Sequence, residues 1–201
     1  MNTVRSLLAA AVAATVCSTT LVAATASAET PAERSAETPA PAPGRVIKPG
    51  QVGQAVAGMT VAEALATGEF DADVPAPPCD PIRLRPKGVW RHQYAVLVNQ
   101  QDRIAEIAVF GTRPRTVQGL GVGSTNREVK QAYGPRLSAP IEVGFGQWGR
   151  FVRRGTGAER RWIGFLFGEA FVADRPLRGR DEVTLVGVRT RFKPGLVLDG
   201  C

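Results

Sequence analysis

One histidine and three cysteines bound the chemistry open to this chain of 201 residues. With His92 alone, a metal site built from several imidazoles is excluded, and any Ser-His-Asp or Cys-His catalyst would have to run through that residue. His92 stands between Arg91 and Gln93 at the edge of a strand-like run, with no serine or cysteine tied to it by a nucleophile motif. It reads as an edge or surface histidine. Glu69, Asp71, Asp73 and Asp80 gather in a proline-rich stretch, but they lack the calcium-loop pattern and read as a solvated acidic loop. Gly119-Leu120-Gly121-Val122-Gly123-Ser124 precedes a helix as a phosphate-cradling loop would, yet the Walker lysine is missing and Ser124 stands where a dinucleotide fingerprint needs its third glycine. No residue set predicts a catalytic centre, a metal or a cofactor. Glu142 and Asp174, carboxylates without an evident structural partner, keep a small cell-wall hydrolase as the weakest functional reading.

Charge is the remaining signal for binding. The chain carries +7, and between Arg83 and Lys193 it holds 21 basic against 9 acidic residues. Arg150, Arg153, Arg154, Arg160 and Arg161 bracket a predicted strand and turn that also hold Trp148, Phe151 and Trp162. One surface of cations and aromatic rings predicts an anionic partner: a cell-wall polymer, a lipid headgroup or an acidic protein. The favoured reading of the charge is nevertheless compositional, since exposed arginine also serves solubility. No DNA- or RNA-binding motif is present, so nucleic acid is not expected as a partner.

The start of the chain predicts export. Arg5 gives a positive start, Leu7 to Val16 an apolar run, and Ala26-Ser27-Ala28 small residues ahead of a cleavage site after Ala28. The apolar run is too short to span a bilayer, and Val16 before Cys17 is a poor lipoprotein context. Residues 1–28 are therefore read as a signal peptide, and residues 29–50, rich in Pro, Ala, Glu and Thr, as a disordered linker. The mature protein is expected to be secreted, extracellular or associated with the cell envelope, without a transmembrane segment. Cleavage removes Cys17 and leaves Cys79 and Cys201, an even pair in an oxidising compartment. An intramolecular disulfide is the favoured pairing, against two free thiols or bridges to other chains.

The body, residues 51–201, repeats itself. Gly58-Met59-Thr60-Val61-Ala62-Glu63 and Gly123-Ser124-Thr125-Asn126-Arg127-Glu128 share glycine, one residue, an N-cap threonine and a glutamate three residues on. Each predicts a short helix opened by a capping box, which gives Thr60, Glu63, Thr125 and Glu128 structural roles. Gly68 and Gly134 follow where helices end. Tyr94–Val98 with Ile104–Val109, and Trp162–Phe167 with Val183–Val188, predict antiparallel hairpins. Ile104, Ile107 and Val109 match Val183, Val186 and Val188, and the slip of parity after the first aliphatic predicts a bulge just beyond each turn. Further strands are predicted at 81–85, 141–145 and 149–154. The fold class is α+β: a short helix plus an antiparallel hairpin unit, duplicated over about 51–115 and 116–201 and packed around one core.

Those paired motifs in an exported chain resemble the tandem BamE/SmpA-like family, which takes in small outer-membrane assembly lipoproteins and secreted beta-lactamase inhibitory proteins. The resemblance covers roughly residues 50–191. It implies a fold of two repeats and, for the inhibitory members, contacts from an acid on a loop of the first repeat and an aromatic on a loop of the second. The loosely equivalent stretches here, 87–92 and 155–160, hold no acid and no aromatic respectively, so inhibition of that enzyme is not implied. The leading expectation is a secreted, non-enzymatic binding protein for a protein or anionic envelope polymer. A secreted inhibitor of an extracellular enzyme is the alternative.

Overall fold

Alternation of apolar residues makes strand the predominant element of this chain, and the computed structural model describes residues 45–72, 82–171 and 175–196. These residues fall in one unit, Ala40–Cys201. The expected signal peptide, the cysteines Cys17, Cys79 and Cys201 with their disulfide, and the acids Asp73, Asp80 and Asp174 lie outside the described residues.

In chain order come β1 (Val46–Lys48), β2 (Gln51–Val52), β3 (Ala55–Val56), α1 (Val61–Ala66), β4 (Phe70–Ala72), β5 (Ile82–Pro86), β6 (Tyr94–Val98), β7 (Ile104–Val109), β8 (Arg115–Thr116), α2 (Asn126–Tyr133), β9 (Ile141–Gly144), β10 (Gln147–Arg154), β11 (Arg161–Phe167) and β12 (Val183–Thr190). The fold is mixed α+β with strand predominant. A large antiparallel sheet runs β4-β5-β6-β7-β12-β11-β10-β9, and a small sheet runs β3-β2-β1-β8. The two stretches that follow α1 and α2 meet at β7 and β12, where Ile107 opposes Val188 and Val109 opposes Val186.

One face of the large sheet carries the main core. Val96, Ile107, Val109, Ile163, Phe165, Phe167, Val186 and Val188 are buried there against Ala64, Val129 and Tyr133 of the helices and Ile47, Val52 and Ala55 of the small sheet. The opposite face carries a smaller cluster of Ala108, Phe151, Leu166, Leu185 and Leu196. The returning strands hold the expected bulges. Register shifts between Leu97 and Val98 opposite β7, and between Leu166 and Phe167 opposite β12, leave Ala105 and Thr184 as the extra residues. Each helix start is pinned to the strand beyond it: Gly58 N–H donates to Ile104 O at 2.7 Å, and Gly123 N–H to Val183 O at 2.8 Å.

The linker boundary needs correction. Residues 45–50 are not a spacer: Val46–Lys48 is a strand, paired with β2 and, in parallel, with β8. Ile47 is 1% exposed. Proline density upstream hid the alternation of Val46, Ile47 and Lys48, and a strand this short is set by its tertiary partners rather than by propensity.

Candidate functional site

The residues expected to form one basic, aromatic surface are divided by strand alternation. Side chains two apart share a face, so Trp148, Arg150, Val152 and Arg154 point to the helix-bearing side of β10, and Phe151 and Arg153 to the other. The single surface is therefore corrected to two.

On the helix-bearing side, Trp148 donates from Nε1 to Arg175 O at 2.8 Å. Arg150 is half-buried and donates from Nε to Ser138 O and from Nη1 to Asn126 Oδ1, each at 3.0 Å. Burial without a carboxylate holds its guanidinium below the usual arginine value. Nearby, Arg175 grips Asp181 with two hydrogen bonds of 2.8 and 2.7 Å, and Asp181 also accepts from Arg178 N–H at 2.6 Å. That grip pushes the Asp181 carboxyl down and the Arg175 guanidinium up.

The remaining cations collect where β10 ends and β11 begins. Arg153 lies opposite Trp162, and Arg154 directly opposite Arg161. Arg191 N–H donates to Arg160 O at 2.8 Å, bringing β12's last turn to the same end. Among the described residues Arg153, Arg154, Arg160, Arg161 and Arg191 make no ion pair, although Glu159 sits on the intervening turn. The Arg160 Nε is buried without a hydrogen-bond partner among them. Like charges directly opposite across strands repel, and a nearby anion relieves that repulsion.

The structural glutamates and the remaining candidates have defined places. Thr60 Oγ1 accepts from Glu63 N–H while Glu63 Oε2 accepts from Thr60 N–H, and Thr125 with Glu128 repeats the arrangement. Glu69 pairs with Arg45, whose guanidinium stands 5.0 Å from the centre of the Trp90 ring. Asp71 pairs with Lys87 and Arg91. His92 is exposed on the turn before β6, and Glu142 is exposed on β9. In the glycine-rich approach to α2, Gly121 N–H donates to Ser124 Oγ at 3.1 Å, Ser124 N–H returns to Gly121 O at 3.0 Å, and Gly123 N–H goes to Val183 O, so these donors are already spent within the fold.

Two features escaped the sequence. Phe145 and Phe171 are 57% and 83% exposed, with ring centroids 4.8 Å apart. Phe171 N–H donates to Phe145 O at 2.8 Å, and both residues hold positive φ, 55° and 65°. A large residue flanked by Gly144 and Gly146 in a hairpin turn was the available signal. The other is Glu106, buried against the C-terminal segment, where it accepts from the N–H groups of Gly195 at 2.9 Å and Leu196 at 3.3 Å. No helix among the described residues is long and apolar enough to cross a membrane. No protein-family model, curated protein or solved structure matches this chain significantly.

Proposed function

We propose that this is a secreted, non-enzymatic binding protein whose partner is anionic: an envelope polymer or an acidic protein. The observation that carries the reading is the set of arginines at the β10–β11 end, where Arg154 stands directly opposite Arg161 and none of the five makes an ion pair among the described residues. Cations held together in this way raise the local potential and draw anions to them. Supporting it, the carboxyls with displaced pKa are engaged in structure: Glu63 and Glu128 in caps, Asp181 by Arg175, Glu106 beneath the C-terminal segment. The proposal includes export by cleavage near Ala28, a Cys79–Cys201 bridge, and a duplicated unit related to the tandem BamE/SmpA-like fold. The matching hydrogen bonds at Gly58 and Gly123, and the matching bulges at Ala105 and Thr184, support the duplication. The test is the double reversal Arg153→Glu with Arg154→Glu, read as the salt concentration that elutes the protein from a dextran sulfate column. Earlier elution is expected, and an unchanged elution position removes the proposal.

A second reading, a secreted inhibitor of an extracellular enzyme, is favoured by the Phe145–Phe171 pair. Two large apolar side chains held in solvent at positive φ cost conformational energy of order 1 kcal/mol each, and such strain collects where a side chain must be presented. A preformed aromatic pair suits insertion into an apolar cleft.

A further inference from the structure

Between α2, β10 and the loop from Arg175 to Asp181 lies a cleft of about 400 Å³. Arg127, Lys130 and Arg150 line it together with Asn126, Pro140, Leu177 and Gly179, and no carboxylate contributes to its wall. We propose that this cleft is a phosphate-binding site, with Arg127, Lys130 and Arg150 as its three cations. It deepens the anion-binding reading at a place apart from Arg153 and Arg154.

Placement of the three is built into the fold. Arg127 and Lys130 are three residues apart on α2 and so share a helix face. Arg150 reaches in from β10, already oriented by Ser138 O and Asn126 Oδ1. Those bonds use two of the five guanidinium donors and leave the rest of the fork for a ligand. Asp181, the acid of the adjoining loop, does not neutralise the group: it is taken by Arg175 and lines a separate cleft with Trp148. A half-buried guanidinium beside two further cations, with no acid in the wall, is costly until an anion arrives.

The α2 terminus itself is not the binding element. Asn126 N–H donates to Asp181 O, Arg127 N–H to Gly179 O and Glu128 N–H to Thr125 Oγ1. Recognition therefore rests on side chains from two elements. Three cationic side chains lining one cleft from two elements suit an acceptor with several charged oxygens around one centre, which a phosphate supplies and a single carboxylate does not. The phosphate belongs to a soluble ester, a polymer or a lipid headgroup, which share this chemistry.

The experiment titrates the full chain with inorganic phosphate at low salt by isothermal calorimetry. The exposed variants Arg127→Gln and Lys130→Gln should each weaken binding about tenfold, the loss expected for one charge-assisted contact. Arg150→Lys, which keeps the charge and loses the fork, should weaken it as well. The Arg153→Glu, Arg154→Glu protein should retain its phosphate affinity while eluting early from the polymer, so failure of either idea is visible without the other. Soluble glycerol phosphate and vesicles containing phosphatidylglycerol separate the sources: capture by vesicles that Lys130→Gln abolishes assigns a lipid headgroup, and competition by the soluble ester alone assigns a free one. Undetectable phosphate binding, or binding unchanged when Arg127→Gln and Lys130→Gln are combined, overturns the proposal.

Discussion

Glu63 lies open to solvent and takes two hydrogen bonds from Thr60, whereas Glu106 is 6% exposed beneath the C-terminal segment. The Thr60 backbone and hydroxyl hold the Glu63 carboxyl below the usual glutamate value, and Thr125 does the same for Glu128. Burial pushes the Glu106 carboxyl up, against the pull of the Gly195 and Leu196 N–H groups and of Arg189. These shifts have opposite consequences for stability. What Glu63 and Glu128 contribute is present above the ordinary glutamate value and is lost as pH falls through their lowered values. What Glu106 contributes is complete below the ordinary value and is lost as pH rises through its raised one. As pH rises from the ordinary glutamate value through the raised one, the wild-type protein should therefore lose stability relative to Glu106→Gln in urea unfolding; a wild-type deficit that grows on acidification would contradict this. Removing a cap hydroxyl takes away both its bond from the Glu N–H and its bond to the carboxylate: Thr60→Ala and Thr125→Ala should each cost about 1 kcal/mol at neutral pH in the same assay.

At the scale of the element, the segment from Lys193 to Leu196 is a strap laid across the face opposite the helices. Leu196 is 2% exposed. Its side chain enters a depression made by glycines on three adjacent strands: a Cβ at Gly149, Gly164 or Gly187 would stand about 3.1, 3.1 and 3.0 Å from a Leu196 methyl, and at Gly187 only 2.7 Å from Pro194 Cβ. Lys193 Nζ lies 5.2 Å from the centre of the Phe151 ring. Truncation by Leu196→Ala should cost about 2–5 kcal/mol, the range for emptying a buried leucine site, and Gly187→Ala should dislodge the strap by overpacking. Loss of the strap is read from accelerated exchange of the Gly195 amide while β12 stays protected. The strap was not legible in the sequence, because Lys48-Pro49-Gly50 and Lys193-Pro194-Gly195 are the same three residues in different conformations. Gly50 takes φ 77° in the β1–β2 turn, whereas in the strap the positive φ falls on Leu196, at 57°. Distant partners decide that difference; the one local hint is glycine inside three strand patterns, a sign of close backbone approach. Caps, hairpins and bulges were legible because a few neighbouring residues specify each. The basic strip was read as one surface because charge was counted without the period of two that sends Arg150 and Arg153 to opposite sides.

For the whole molecule, the question is whether the stretches on either side of β8 stand or fall together. Each presents a bare strand edge, β7 or β12, that only the other covers. The main cluster draws on both, with Val96 and Ile107 from one and Ile163 and Val186 from the other, and β1 joins them by pairing in parallel with β8. Separating them would expose that core and leave β7 without its four pairs to β12, so partial unfolding recovers little entropy for a large loss of burial. A single cooperative transition follows. Tryptophans report on each side: Trp90, packed against Arg45, on the first, and Trp148 and Trp162 on the second. A protein carrying Trp148→Phe and Trp162→Phe, followed through Trp90, should therefore show the same shift of urea midpoint on adding Val188→Ala as a Trp90→Phe protein followed through the other two. Val188 lies on β12, opposite Ile107, so a perturbation made on one side is read on the other. Midpoints that move for Trp148 and Trp162 but not for Trp90 would mean two cores that merely touch.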